Sequence, residues 1–283
     1  MINEQTVWDD IWPVVERLIA GAVAEDAQAM RQLLLPGGQA ADALDLFGYA
    51  VFDILLKTVL GRERLGLVRA IEADEGAAVF VEYAWPDPGA GRSYTAVDVV
   101  AVRLTQRGGA WLVDEINPAS ADLPLNSIRA TSVLAGTQVM SDDGKLPAEP
   151  WILPVALYAG VLQLPLQPDA AADAVEAALL PGLQARGYGL LPLIYGRRLW
   201  RDFIAAARPE LERPAVWAAA VEFIMAEQSN RAETQAAVGR FYRAPLGGVS
   251  GRAKQIKRAL GIAGPDPRYS DFATTQIVYN TES

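Results

Sequence analysis

A chain of 283 residues that is 51% apolar and 21% charged has the composition of a folded protein and a length suited to about two hydrophobic cores. It contains neither cysteine nor histidine. That inventory excludes Ser-His-Asp and Cys-His hydrolysis, Cys- or His-ligated zinc, His- or Cys-ligated haem, Cys-ligated iron–sulfur chemistry and disulfides, and it leaves any enzyme to carboxylates, Tyr, Lys, Ser or an oxygen-ligated cation; no cofactor and no metal are expected. The net charge of −9 is unevenly held: residues 1–150 carry 11 Lys or Arg against 22 Asp or Glu, whereas residues 151–283 carry 14 against 12.

The opening residues are polar and acidic instead of a positive segment leading into an apolar run, which predicts no secretory leader and a cytoplasmic protein. From Val7 to Val23 the spacing of Ile11, Val14, Val15, Leu18, Ile19 and Ala22 predicts an amphipathic helix, with Glu16 and Arg17 on its other side. A short helix is expected from Asp26 to Leu35, ended by Pro36-Gly37-Gly38. A third is expected from Ala41 to about Leu60, with Leu44, Phe47, Val51, Leu55 and Val59 as its core face.

After Gly61 the period becomes alternating. Four strands are expected at Glu63–Ala73, Ala77–Trp85, Tyr94–Gln106 and Ala110–Ile116. Their connectors (Asp74-Glu75-Gly76, Pro86 to Gly89, and Arg107-Gly108-Gly109) have the turn chemistry and length of antiparallel neighbours. Helices followed by a curved antiparallel sheet make an α+β pattern. The order of elements and the closing strand Gly109-Ala110-Trp111-Leu112-Val113-Asp114-Glu115-Ile116 resemble the cone-shaped nuclear transport factor two superfamily, also called SnoaL-like or cystatin-like. That resemblance covers roughly residues 5–120 and implies a module that binds a small ligand, dimerises or catalyses an isomerase- or dehydratase-type step.

The third strand places Asp98 on a stripe with Tyr94, Ala96, Val100, Val102 and Leu104. A carboxylate on an apolar stripe is costly unless it is satisfied or used. With Tyr83 and Trp85 from the neighbouring strand, Asp98 could line a ligand pocket and act as a general base. The plainer reading sets it at a strand end with its hydrogen bonds met. Trp12, Phe47 and Trp111 are expected in the core.

Residues 123–188 are rich in Pro and Ala, with Pro124, Pro147, Pro150, Pro154, Pro165, Pro168 and Pro181, and read as a linker containing one helix at Asp169–Leu180. The apolar run Trp151–Leu166 is interrupted by Pro154 and Pro165 and falls short of the roughly 20 residues of a membrane span, so no membrane is expected as a partner. From residue 189 the pattern is helical: Arg197–Ala207, Pro214–Gln228, Thr234–Tyr242 and a stretch to Leu260. The expected layout is a cone domain over 1–122, a linker over 123–188 and an all-α domain over 189–283.

Residues 231–258 hold seven cations (Arg231, Arg240, Arg243, Arg252, Lys254, Lys257, Arg258) against one acid, Glu233. Trp217-Ala-Ala-Ala-Val-Glu-Phe-Ile, Thr234-Gln-Ala-Ala-Val238-Gly239-Arg-Phe-Tyr242 and Ala253-Lys254-Gln255-Ile256-Lys257 together resemble a bacterial helix-turn-helix segment. The resemblance implies that Thr234 caps the first helix, that Val238 and Gly239 allow a close crossing, and that Arg240, Arg243, Arg252, Lys254, Lys257 and Arg258 face DNA. Arg243 stands where that pattern has a turn glycine, and Gly247, Gly248 and Gly251 fall inside the recognition helix, at about 1 kcal/mol of helix propensity each. A module that keeps the packing but no longer reads a groove accounts for the same residues. Leu246-Gly-Gly-Val-Ser-Gly-Arg-Ala-Lys254 lacks the spacing of a phosphate loop.

Three functions remain open on this reading. The first is a non-catalytic protein that couples a small-apolar-ligand or homodimer module to a DNA- or protein-binding helical module through 231–258. The second is a carboxylate-based isomerase or hydrolase at Asp98. The third is a purely structural protein.

Overall fold

The computed structural model describes residues 4–56, 58, 66–84, 99–118 and 153–270, with mixed helix and antiparallel sheet. Asp98 and Trp85 lie outside the described residues. Two compact units divide the chain, residues 1–157 with 164–167 and residues 158–163 with 168–283. No helix among the described residues is long and apolar enough to cross a membrane.

The first unit opens with a π-helical turn over Val7–Ile11 that runs into α1 (Trp12–Val23), Pro13 sitting where no helical N–H is needed. All six residues of the expected stripe are buried, and Glu16 and Arg17 are exposed. The Asp26 carboxylate accepts the Ala29 N–H and caps α2 (Ala27–Arg31). This helix stops short of Leu35 because the chain peels away to pair with the sheet: Val113 donates to the Leu33 carbonyl and Leu35 to the Val113 carbonyl, both at 2.8 Å.

The single helix expected from Ala41 to Leu60 is two, α3 (Gln39–Phe47) and α4 (Ala50–Leu55). Gly48 between them has φ +69°, and a Cβ there would lie 2.7 Å from the Gln167 side-chain amide. Leu44, Phe47, Val51 and Leu55 are buried as expected, and Val59 lies outside the described residues.

Strands β1 (Gly66–Ala73), β2 (Ala78–Ala84), β3 (Val99–Arg107) and β4 (Ala110–Pro118) form an antiparallel meander in sequential order. Val102 pairs with Val81 on one side and Ile116 on the other. Opposite Arg103 and Leu104 the register jumps from Glu115 to Val113, which leaves Asp114 as the extra residue of a bulge. Val113 and Ile116 are thereby both buried despite being an odd number of residues apart, and Asp114 pairs with Arg103. The buried face holds Val79, Val81, Tyr83, Val100, Val102 and Leu104, with Trp12, Phe47 and Trp111 also buried in the unit. Helix α5 (Leu153–Tyr158) follows the undescribed stretch.

The second unit is built, among its described residues, from α6 (Ala174–Ala185), α7 (Leu190–Ala207), α8 (Pro214–Gln228), α9 (Gln235–Phe241) and α10 (Leu246–Leu260). It therefore takes in a stretch that composition assigned to the linker. Helix α6 begins five residues after Asp169 because the cap is Asp173, whose Oδ1 accepts the Val175 and Glu176 N–H groups while Oδ2 accepts the Trp200 indole N–H at 2.8 Å. Helix α7 starts at Leu190, not Arg197, with Pro192 in a first turn whose N–H groups have no helical partners. Its Trp200 and Phe203 meet Trp217 of α8 with ring centroids 5.2 to 5.8 Å apart, forming a fully buried aromatic core. After α10 the chain returns onto α8: buried Gln228 donates to the Gly264 carbonyl and accepts from the Asp266 N–H, Ser270 donates to the Gln228 carbonyl, and the Tyr269 hydroxyl donates to Asp202 on α7.

Candidate nucleic-acid interface

Thr234 Oγ1 accepts the Ala237 N–H at 3.1 Å and starts α9. At the far end Ala244 donates to the Gly239 carbonyl at 2.8 Å, and Pro245 begins α10 with its carbonyl taking the Gly248 and Val249 N–H groups. A Cβ on Gly239 would stand 3.0 Å from the Ala244 carbonyl oxygen, so glycine sets how tightly the turn closes. Arg243 carries φ +54°, the left-handed conformation that the glycine of the resembled pattern would adopt without steric cost. Val249, Ala253 and Ile256 recur at helical spacing and are buried, which seats α10 in the unit.

The six expected contact residues separate into two groups. Arg240, Arg243, Lys254 and Arg258 are exposed, and none has an ion-pair partner among the described residues. Lys254 and Arg258 are one turn apart on the side of α10 opposite Val249, Ala253 and Ile256. Arg252 and Lys257 lie on its flanks and are engaged within the protein. The Arg252 guanidinium stands 4.2 Å from the Trp217 ring centroid and donates to Gln255, and Lys257 pairs with Glu227 of α8. The outward positions in the first two turns of α10 are Gly247 and Gly251, with no atoms within 4 Å of where a Cβ would be.

Beneath α9 is a buried polar cluster that periodicity did not reveal. Glu222 of α8 has no exposed surface and pairs with Arg186, which also bonds Glu233 at 2.6 Å. Arg231 lies 4.0 Å from the Tyr188 ring centroid and donates to the Arg186 and Gly187 carbonyls, each at 2.9 Å. Tyr242, the residue after α9, is buried against Gly182 and close enough to Glu222 for each to shift the other's pKa. Burial pushes the Glu222 carboxyl above the ordinary carboxylate range against the pull of Tyr242 and Arg186, and burial with the nearby Glu222 raises the hydroxyls of Tyr242 and Tyr188. The Glu222 Oε2 atom and both hydroxyls have no hydrogen-bond partner of good geometry among the described residues.

Two apolar side chains at the turn also went unread, Phe241 and Leu246, 43% and 53% exposed. The sequence signal for them was weak, a large apolar residue on either side of Arg243. Of the ligand-pocket trio only Tyr83 is described. Its ring is fully buried, edge-on to Trp12, and its hydroxyl donates to the Leu56 carbonyl at 3.1 Å, so both its apolar and polar capacities are taken up in the core. No family model, curated protein or solved structure matches this chain.

Proposed function

We propose that the helical unit is a helix-turn-helix-like module that binds nucleic acid, holding phosphates with Arg240, Arg243, Lys254 and Arg258. The observation that carries this reading is the set of four exposed cations, on α9, the turn that follows it and α10, without carboxylate partners among the described residues, in a chain of net charge −9. Phosphate contacts position a protein, whereas base contacts specify a sequence. Gly247 and Gly251 offer no side chain to a base edge, which supports binding that is indifferent to sequence.

For the first unit, we infer a SnoaL-like cone that binds a small apolar ligand or pairs with a second copy. Its support is the run of helices ahead of a meander in sequential order. A carboxylate enzyme at Asp98 is the rival for that unit, and it would require Asp98→Asn to abolish turnover.

The nucleic-acid reading is tested by fluorescence anisotropy of the full chain with mixed-sequence DNA over a range of salt concentrations. Four phosphate contacts would give a slope of log affinity against log salt of about −3 to −4. Changing Arg240, Arg243, Lys254 and Arg258 together to Gln would remove most of that slope while leaving the helical circular-dichroism signal unchanged. Binding that ignores both salt and these four residues would sink the phosphate-contact reading, and no binding even at low salt would favour a protein partner.

A further inference from the structure

We propose that Phe241 is a stacking platform for an unpaired base, so that the ligand of this module is single-stranded nucleic acid. The inference rests on the nucleic-acid reading above and adds to it the strand state of the ligand. Phe241 closes α9 with 43% of its surface exposed. It is a fixed ring: the Arg186 guanidinium stands 5.3 Å from its centroid, and the Tyr242 ring meets it edge-on at 5.0 Å and 83°. Arg186 is itself anchored by Glu222 and Glu233, so the support behind the ring is tied into the buried polar cluster. An aromatic side chain pre-positioned in this way loses little conformational freedom when a ligand packs on it.

The frame around the ring identifies the ligand. Arg240 precedes Phe241 and Arg243 follows two residues later, both exposed and without an ion-pair partner among the described residues. A flat apolar surface between cations complements a base between its flanking phosphates, and that combination recurs where proteins hold single strands. Phenylalanine has no donor or acceptor with which to read a base edge. In a duplex the base faces are stacked on each other and only the edges are open, so this ring gains from contact only when the base is unstacked.

The test uses the full chain with a fluorescein-labelled 20-nucleotide single strand and the duplex of the same sequence at matched salt, comparing wild type, Phe241→Ala and Phe241→Trp. Phe241→Ala should weaken single-strand binding by about fivefold to a hundredfold, leave the salt slope and the duplex affinity within about twofold, and lose the fluorescence change of a 2-aminopurine base in the strand. Phe241→Trp should restore both. If Phe241→Ala binds the single strand as wild type does, with the salt slope intact, stacking is overturned and the basic surface stands. Equal loss on both strands also overturns it, because the ring would then only support the turn. If the wild-type chain binds neither strand at low salt, the underlying reading fails with it.

Discussion

Glu222 has no exposed surface, and burial raises its pKa even though Arg186 is bonded to it. The sign of the consequence follows from linkage. A carboxyl whose folded pKa exceeds its unfolded value, about 4.3, contributes stability below the unfolded pKa, and that contribution is lost as pH rises through the folded value. Asp266 has the opposite sign: the hydrogen bond from Arg268 lowers its pKa, so its contribution is present at neutral pH and lost on acidification. Replacing Glu222 by Gln isolates the first effect. Urea unfolding of wild type and Glu222→Gln should show the wild-type chain losing stability relative to the variant as pH rises from about 4 through the folded pKa of Glu222. A constant difference over that interval would mean that the carboxyl titrates alike in both states. None of this was legible in sequence, because Glu222 sits in an Ala-rich helix where charge normally marks the solvent side, and its partner Arg186 is 36 positions away.

Elements with local punctuation were legible, and those set by distant partners were not. Pro214 at the first helical position fixed α8 to the residue, Thr234 capped α9 as its hydroxyl chemistry implied, and turn residues at 74–76 and 107–109 announced the hairpins. The break at Gly48 was read through because the apolar spacing of Leu44, Phe47, Val51 and Leu55 continues across it. The spacing carries α2 too far because Leu34, beyond the helix end at Arg31, forms a parallel bridge to Val113, a partner about 80 positions on. For α10 the spacing of the cations was visible, but the diversion of Arg252 onto Trp217 and of Lys257 onto Glu227 required the packed helices. The glycines of α10 yield a prediction at this scale. Gly247 and Gly251 face open space, so Ala at either should raise stability by up to about 1 kcal/mol through helix propensity. Gly248→Ala should gain less, because its Cβ would come within 3.1 Å of Val216. Thermal melts of the three single variants separate these outcomes, and equal gains would mean that Val216 moves aside freely.

At the scale of the chain, the change from acidic to mixed charge and from alternating to helical period separated an α+β part from a helical part, and the structure divides into two units with their own cores. The boundary was misjudged because Pro and Ala in 168–188 look like linker, whereas Val175, Leu179, Leu180 and Leu183 are buried in the second unit. Two cores predict two unfolding steps, since cooperative all-or-none unfolding is a property of single domains. Each core has its own reporters, Trp12 and Trp111 in the first and Trp200 and Trp217 in the second. Arg186→Met removes the cation bonded to buried Glu222 and to Glu233, and breaking such a buried pair costs about 3 to 5 kcal/mol. With the first unit's five tryptophans, Trp8, Trp12, Trp85, Trp111 and Trp151, changed to Phe, urea unfolding followed by fluorescence should show a midpoint lowered by Arg186→Met. With Trp200 and Trp217 changed instead, the midpoint should be unmoved. If both reporter sets shift together, the units unfold as one cooperative body, and the polar cluster beneath α9 then contributes to the stability of the whole chain.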